Sequence, residues 1–408
     1  MVHILSAHLR SEFLAVPTLV RLDMASGEGG FEPTLLLKAG SLSLKYFLRR
    51  KEFRIVVTRI GSKIAYAVEI PDDPVSPGMV WSLVERQVEV EALRRLTLNP
   101  RCVMFLFNEI AVSVAWTEVK FSIDAIFSNA LKSVQLHTET EKQDEDLVGT
   151  RFGEIWAGAN ITDTQILKFQ DVQWNELEAS YITMQASVSK LSLFNTDEGG
   201  QQEEIAVWLT DSLHPRGCVK SPKVHEKVVR ELSDILLSYE NGVFLIESKA
   251  LGVLVRDSLP SREKLSRDII KHVLKAFDQL VGGIKNLRKG LLVTNGTGAH
   301  LDIEREKPPH AIILVPDLSL LENASDLGAK FIRNFMEITG GYLHILDTAE
   351  LLRVVQAAGM IAEGSKSLSK MMAFDWYLME RAKRAIDNPT PCFFVLFRKG
   401  PANNAASS

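Results

Sequence analysis

Apolar residues gather in two runs on either side of Asn241-Gly242, within the stretch from Val228 to Leu251. Val, Ile, Leu, Phe and Tyr dominate both runs, which is typical of largely buried strands. An Asn-Gly pair between two such runs is a strong signal for a tight hairpin turn. The pattern therefore predicts a buried β-hairpin with Asn241 and Gly242 as its central turn residues.

Three charged residues interrupt the apolar pattern of this hairpin: Asp234, Glu247 and Lys249. The predicted turn places Asp234 opposite Lys249 and Leu236 opposite Glu247. Because side chains alternate between the two faces of a strand, all four project from one face. Burying two carboxylates and an ammonium costs several kcal/mol per ion unless they are paired or hold a metal.

The N-terminal half alternates between strand and helix patterns. A second hairpin is predicted around Gly61-Ser62, a helix over 80–96 that ends before Asn99-Pro100, and a third strand pair over 102–107 and 110–116. The acidic run 139–146 is predicted to be an exposed loop. Residues 195–202, which are polar and contain two glycines, are predicted to be a linker, with a helix starting near Glu203.

Beyond the hairpin, a long amphipathic helix is predicted from Ser261 to Leu287. Strand patterns follow at 291–294, 311–315, 342–346 and 393–397, and helical patterns at 324–338, 348–358 and 367–386. Such alternation favours an α/β (α+β) class with a mixed β-sheet flanked by helices. We predict an α+β N-terminal domain over 1–195 with a binding or assembly role, a second domain over 196–400, and a disordered tail over 401–408.

Composition narrows the class of protein. Of the 408 residues, 46% are hydrophobic and 24% charged, as in an ordinary globular chain. No apolar run is long enough for a membrane span, and the N-terminus lacks a signal-peptide pattern. Cys102, Cys218 and Cys392 have no metal-ligand spacing and are interpreted as free thiols. A cytoplasmic location without membrane contact is expected.

Charge is unevenly distributed. The chain carries a net −4, yet residues 214–290 contain 15 Lys or Arg and 9 Asp or Glu, a net +6 that leaves −10 for the remainder. A basic region around the hairpin and its following helix suits a substrate with phosphates. Surface Lys and Arg on an ordinary amphipathic helix explain the same count equally well.

Asp234 on one strand and Glu247-Ser248-Lys249 on the next resemble the motif of the PD-(D/E)XK superfamily of restriction-endonuclease-like nucleases. Ser233 occupies the position of the motif's proline, so the first half is imperfect. The resemblance implies a restriction-endonuclease-like core in which Asp234 and Glu247 bind Mg²⁺ or Mn²⁺ and Lys249 positions the attacking water. Carboxylate oxygens are the ligands that Mg²⁺ prefers, and a lysine can stabilise charge on a phosphate.

Two more residues enter through the resemblance. Members of the superfamily often carry a glutamine on the helix after the catalytic strands, here Gln279, and a glutamate on the first helix near the metal, here Glu204. Gln279 fits equally well as an ordinary polar helix residue. Glu204 fits as a solvated glutamate at a helix start, where the macrodipole favours a negative charge. The implied substrate is nucleic acid, most readily DNA, in restriction, phage defence or repair.

Two alternatives remain open from the sequence. Asp234 and Lys249 can form a structural cross-strand pair with Glu247 near solvent. The chain can also be an inactive nuclease fold that serves as a binding or assembly subunit, as its large acidic N-terminal half suggests.

Overall fold

The structure, a computed structural model, describes residues 3–27, 30–73, 77–138, 142–159, 161–184, 188–214, 217–365 and 367–393. It is of the mixed α/β class, as the sequence predicts. The chain divides into two compact units. Unit 1 comprises residues 1–179, 192–194 and 256–261, and unit 2 comprises 180–191, 195–255 and 262–408. The predicted tail over 401–408 lies outside the described residues, as does most of the predicted strand over 393–397.

Unit 1 contains two sheets whose facing apolar side chains share one hydrophobic core. Its elements are α1 (Ala7–Ala15), β1 (Leu19–Gly27), β2 (Gly30–Lys38), α2 (Ser41–Arg50), β3 (Phe53–Ile60), β4 (Lys63–Ile70), β5 (Gly78–Leu83), α3 (Gln87–Leu96), β6 (Arg101–Phe107), β7 (Ser113–Lys120), α4 (Ala125–Ala130), α5 (Lys142–Trp156), β8 (Thr164–Phe169) and β9 (Asn175–Glu176). The strands are ordered β1-β2-β6-β7-β9 in one sheet and β5-β4-β3-β8 in the other.

The predicted hairpin around Gly61-Ser62 is confirmed as β3 and β4. The predicted helix over 80–96 is wrong in its first half, where residues 78–83 instead form β5 on the edge of β4. Met79, Val80 and Trp81 form a continuous apolar run, which periodicity alone does not assign to helix or strand, and pairing with β4 decides between them. The predicted acidic loop is also wrong over its described part, because Lys142 begins α5.

Unit 2 contains the predicted hairpin and helices. After the short strands β10 (Ala179–Ile182) and β11 (Val188–Leu191), which join the two units in sequence, its elements are α6 (Glu198–Asp211), β12 (Cys218–Lys220), β13 (Lys223–His225), β14 (Val229–Glu231), β15 (Ile235–Tyr239), β16 (Gly242–Ser248), α7 (Arg262–Arg288), β17 (Leu292–Thr294), β18 (His310–Val315), α8 (Ala329–Thr339), β19 (Tyr342–Asp347), α9 (Thr348–Glu363) and α10 (Lys370–Ala385). Two 3₁₀ turns, Leu318–Leu321 and Ser325–Leu327, precede α8.

A five-stranded mixed sheet forms the centre of unit 2, in the order β12-β15-β16-β18-β19. The β12/β15 and β15/β16 pairs are antiparallel, whereas the β16/β18 and β18/β19 pairs are parallel. Parallel neighbours require a crossover, and α7 connects β16 to β18 as α8 connects β18 to β19. A small antiparallel sheet, β14-β13-β17, completes the unit. The sequence therefore places a helix on each side of the hairpin in chain order, α6 before it and α7 after it.

The predicted linker over 195–202 is wrong in its second half, because α6 begins at Glu198. Asp197 caps this helix by accepting a hydrogen bond from the Gly200 amide at 3.0 Å. Aspartate is a favoured N-cap residue, and its stabilisation of the first turn offsets the low helix propensity of the two glycines.

The hairpin of β15 and β16 is confirmed, but its register differs from the prediction by two residues. Tyr239 pairs with Gly242 and Ile235 with Ile246, so Glu240 and Asn241 are the turn residues. One residue beyond the last pair, Asp234 therefore comes opposite Glu247 instead of Lys249. Because the shift is an even number of residues, Asp234, Glu247 and Lys249 still point to the same face.

A buried chain of hydrogen bonds fixes the turn end of this hairpin. The Tyr239 hydroxyl donates to Asp375 Oδ2 at 2.5 Å, His310 Nε2 lies 3.2 Å from Asp375 Oδ1, and His310 Nδ1 lies 2.9 Å from His344 Nε2. Gly242 lies against this chain, since a Cβ there would approach Asp375 Oδ2 to 2.9 Å. Its lack of a side chain is required by packing against α10.

Candidate functional site

Asp234, Glu247 and Lys249 converge at the end of the hairpin away from the turn. Lys249 Nζ lies 2.7 Å from Glu247 Oε2 and 3.9 Å from Asp234 Oδ2. Asp234 Oδ2 also accepts a hydrogen bond from the Ser248 amide at 2.6 Å. The side chains of Glu247, Lys249 and Asp234 are 3%, 14% and 20% exposed, so solvent reaches the group from the Asp234 side.

The backbone around this cluster is held in place by the parallel strand β18. The Lys249 amide donates to the Leu314 carbonyl at 2.8 Å, and Gln202 Nε2 of α6 donates to the same oxygen at 3.0 Å. The cluster therefore lies on strand ends that are anchored from two sides. Such positions hold side chains more firmly than loops do.

Both carboxylates have raised pKa values. Burial, followed by the charge of Asp234, raises the pKa of Glu247 to about 7 even though Lys249 acts in the opposite direction. Burial also raises the pKa of Asp234, against the influence of the Ser248 amide and Lys249. One ammonium is thus insufficient to neutralise both acids. An arrangement of this kind favours an additional cation.

A cavity of about 260 Å³ opens beside the cluster. Asp234 and Glu247 line it from the hairpin, Arg230 and Glu231 from the small sheet, and one face of α7 closes it. That face contributes Asp278, Gln279, Gly282, Gly283 and Asn286. Gln279 is exposed, so the structure brings three of the residues proposed from sequence, Asp234, Glu247 and Gln279, to one cavity.

Glu204 is engaged elsewhere. Its carboxylate accepts hydrogen bonds from Ser189 and from Lys220 Nζ, the latter at 2.6 Å. Burial alone would raise the pKa of Glu204, but these two hydrogen bonds outweigh it and lower the pKa. Its neighbour Glu203 behaves differently, since burial and then the charge of Asp234 raise its pKa. Of these two adjacent glutamates, Glu203 is the one whose charge is coupled to the hairpin cluster.

The donor set fits a hard divalent cation bound partly by its substrate. Among the residues that the structure describes, no group of three or more His, Cys, Asp or Glu side chains has the arrangement of a complete metal site. Mg²⁺ is usually held by one or two carboxylates together with water and substrate phosphates, and seldom by a full protein cage. Asp234 and Glu247 satisfy that smaller requirement.

Two adjacent glycines on α7 have different roles in this wall. A Cβ at Gly282 would meet nothing within 4 Å, whereas a Cβ at Gly283 would approach the Leu232 carbonyl oxygen to 3.0 Å and Leu245 Cδ2 to 3.1 Å. Gly283 therefore lets the helix pack closely on the hairpin. Gly282 instead keeps the cavity wall open. Sequence reasoning missed both positions, and the signal that could have found them is a Gly pair inside a long helix, where glycine is unfavourable.

The different surroundings of Gly282 and Gly283 predict opposite effects of an alanine substitution on stability. Gly282→Ala should raise the free energy of unfolding by about 0.5–1 kcal/mol, because alanine favours helix and meets no obstacle. Gly283→Ala should lower it by about 1 kcal/mol or more, because overpacking against a carbonyl outweighs the helix gain. Denaturant midpoints of the two variants measure both effects. Equal changes in the two variants would contradict the packing described for Gly283.

The chain matches no protein-family model, and no curated protein or solved structure is significantly similar to it. Within the described residues, every helix is too short or too polar to cross a bilayer.

Proposed function

We propose that unit 2 is a metal-dependent phosphodiesterase that hydrolyses nucleic acid, with DNA as the preferred substrate. The observation that carries the proposal is the pairing of two carboxylates with raised pKa values, Asp234 and Glu247, against one ammonium at the edge of a cavity. The order of α6, the hairpin within a mixed sheet, and α7 with Gln279 agrees with the resemblance to PD-(D/E)XK nucleases and supports it.

A purely structural salt bridge explains this group less well. A carboxylate placed to form a stabilising ion pair normally has a lowered pKa, because its partner favours the charged form. Glu247 has a raised pKa although Lys249 lies 2.7 Å away. The second carboxylate, Asp234, adds repulsion that a structural pair would not need.

Each residue has a distinct part in the proposed reaction. Asp234 and Glu247 would hold Mg²⁺ or Mn²⁺, which would supply Lewis acidity and lower the pKa of a water molecule. Lys249 would orient the attacking water and stabilise the negative charge that develops on the phosphate. The Gln279 amide, on the opposite wall of the cavity, would donate to a phosphate oxygen and position the scissile bond.

The proposal is tested with the purified chain alone. We expect cleavage of labelled DNA in Mg²⁺ or Mn²⁺, none after chelation with EDTA, and recovery when the metal is restored. A parallel RNA substrate separates the two nucleic acids. Persistent inactivity with every divalent metal, and with both substrates, would contradict hydrolysis by this chain and favour an inactive binding or assembly subunit.

A further inference from the structure

The face of α7 that closes the cavity continues toward the helix N-terminus as a row of lysines. Lys275, Lys271 and Lys264 precede Gly282 by 7, 11 and 18 residues. Seven residues make about two helical turns and eighteen make five, so all three lie on the same side as Gly282. All three are exposed, while the opposite side of α7 is buried. The row spans about 16 Å at 1.5 Å per residue.

Helix stability explains this row only in part: Asp268, four residues after Lys264, and Asp278, three after Lys275, supply opposite charges at favourable spacing. Arg267, Lys271 and Lys275 follow one another at intervals of four residues, and like charges at that spacing destabilise a helix. Lys264 lies in the first turn, where the macrodipole disfavours a cation. Two acidic residues, Asp268 and Asp278, share this side with the three lysines, which leaves it a net charge of +1.

The size of the cavity limits what can enter from this row. At about 260 Å³ it is smaller than the usual site for a drug-sized ligand, so it accommodates a portion of one strand and excludes a stacked base pair. Positive charge that leads into such a cavity matches a phosphate backbone, because lysines neutralise successive phosphates without reading sequence.

We propose that the Lys264–Lys271–Lys275 face of α7 binds the phosphate backbone of the strand to be cleaved, and that Gly282 leaves the opening through which its scissile phosphate reaches Asp234 and Glu247. This inference rests on the proposed function for the identity of the cavity. Binding along the lysine face, however, requires no metal and no cleavage.

The binding step is tested in EDTA, where the wild-type chain cannot hydrolyse its probe. A fluorescent single-stranded DNA is titrated into wild type, the Lys271→Glu/Lys275→Glu variant and a matched control, Lys370→Glu/Lys383→Glu, on α10. The α7 variant should lose roughly tenfold or more in affinity, and its dependence of log Kd on log salt should fall by about 1.4, since each lost phosphate contact on a single strand contributes about 0.7. The control changes net charge equally and should bind like wild type.

Either of two results would contradict phosphate binding by the lysine face. One is unchanged binding by the α7 variant, and the other is an equal loss of affinity in both variants, which would show attraction by net charge alone.

A second variant, Gly282→Leu, tests the opening at Gly282. It should bind DNA as wild type does in EDTA but lose at least tenfold in cleavage rate with Mg²⁺. If it cleaves like wild type, the opening is not at Gly282. If wild type binds through the lysine face and never cleaves, the proposed hydrolysis fails while the binding face stands.

Discussion

Replacing Glu247 by Gln, or Asp234 by Asn, should reduce Mg²⁺-dependent DNA cleavage by roughly 10³-fold, because either change removes a metal-binding charge worth several kcal/mol in the transition state. Lys249→Met should reduce it by roughly 10²-fold, the usual effect of losing a group that positions or activates water. Initial cleavage rates under saturating Mg²⁺ measure both effects. Circular dichroism and thermal unfolding show that each variant is folded.

The adjacent glutamates Glu203 and Glu204 of α6 provide a matched control for this experiment. Glu204→Gln removes the same charge one residue from Glu203, but the Glu204 carboxylate is occupied by Ser189 and Lys220. We expect Glu204→Gln to cleave within about threefold of wild type and Glu203→Gln to be more affected, since Asp234 acts on its charge. Wild-type rates for Asp234→Asn and Lys249→Met would contradict the assignment of the site.

Glu247→Gln should also make the metal-free protein more stable above neutral pH. The ordinary pKa of 4.5 is raised to about 7 in the folded chain, a difference that corresponds to ~3 kcal/mol at full ionisation. Glutamine resembles the protonated acid and avoids that penalty, although Lys249 then loses its nearest partner. The expected net gain is about 1–3 kcal/mol at pH 8, measured by denaturant unfolding in EDTA.

The sign of this change in stability follows from proton binding by Glu247. Below pH 4.5 Glu247 is protonated in both the folded and unfolded chains, so wild type and variant differ little. Between pH 4.5 and about 7 the unfolded chain releases the proton and the folded chain keeps it, so wild-type stability falls as pH rises. Glu204→Gln should have the opposite sign at pH 8, because the pKa of Glu204 is lowered in the folded chain. If Glu247→Gln is less stable than wild type at pH 8, that result would contradict the unrelieved repulsion described for Glu247.

Bound Mg²⁺ should make wild type gain stability relative to Glu247→Gln. Saturating Mg²⁺ should stabilise wild type, by about 2.7 kcal/mol at a concentration 100 times Kd, while leaving Glu247→Gln nearly unchanged. The thermal shift of each protein with and without Mg²⁺ therefore reports binding at the carboxylate pair independently of cleavage.

The sequence was sufficient to predict the hairpin, the long helix after it and the meeting of three charged side chains. The hydrophobic pattern determined which face each charge occupies, and that result survived an error of two residues in the register. The turn was misassigned because Asn-Gly usually marks the centre of a hairpin turn. Here Gly242 is the first residue of β16, and neither Glu240 nor Asn241 has a positive φ. The glycine is required by the Asp375 carboxylate of a distant helix, which no local pattern reveals.

The assignment of a glutamate on α6 shows a second limit of sequence reasoning. Glu203 and Glu204 are adjacent, so they point about 100° apart on the helix. Which of them is directed toward the hairpin depends on how α6 packs against β12, where Lys220 Nζ lies 2.6 Å from Glu204 Oε1 and 3.4 Å from Glu203 Oε2. The openness of the cavity wall at Gly282 is likewise a tertiary property.

Hairpin tips are usually the easiest places in a protein to extend, label or permute, because little else touches them. The turn between β15 and β16 is an exception, since Tyr239 and Gly242 both lie against Asp375. Insertions that displace Tyr239 or Gly242 would therefore disturb this packing, although Glu240 and Asn241 between them are exposed. A peptide tag or fluorophore belongs instead on the solvent side of α10, near the exposed Lys383, where it would leave the hairpin undisturbed.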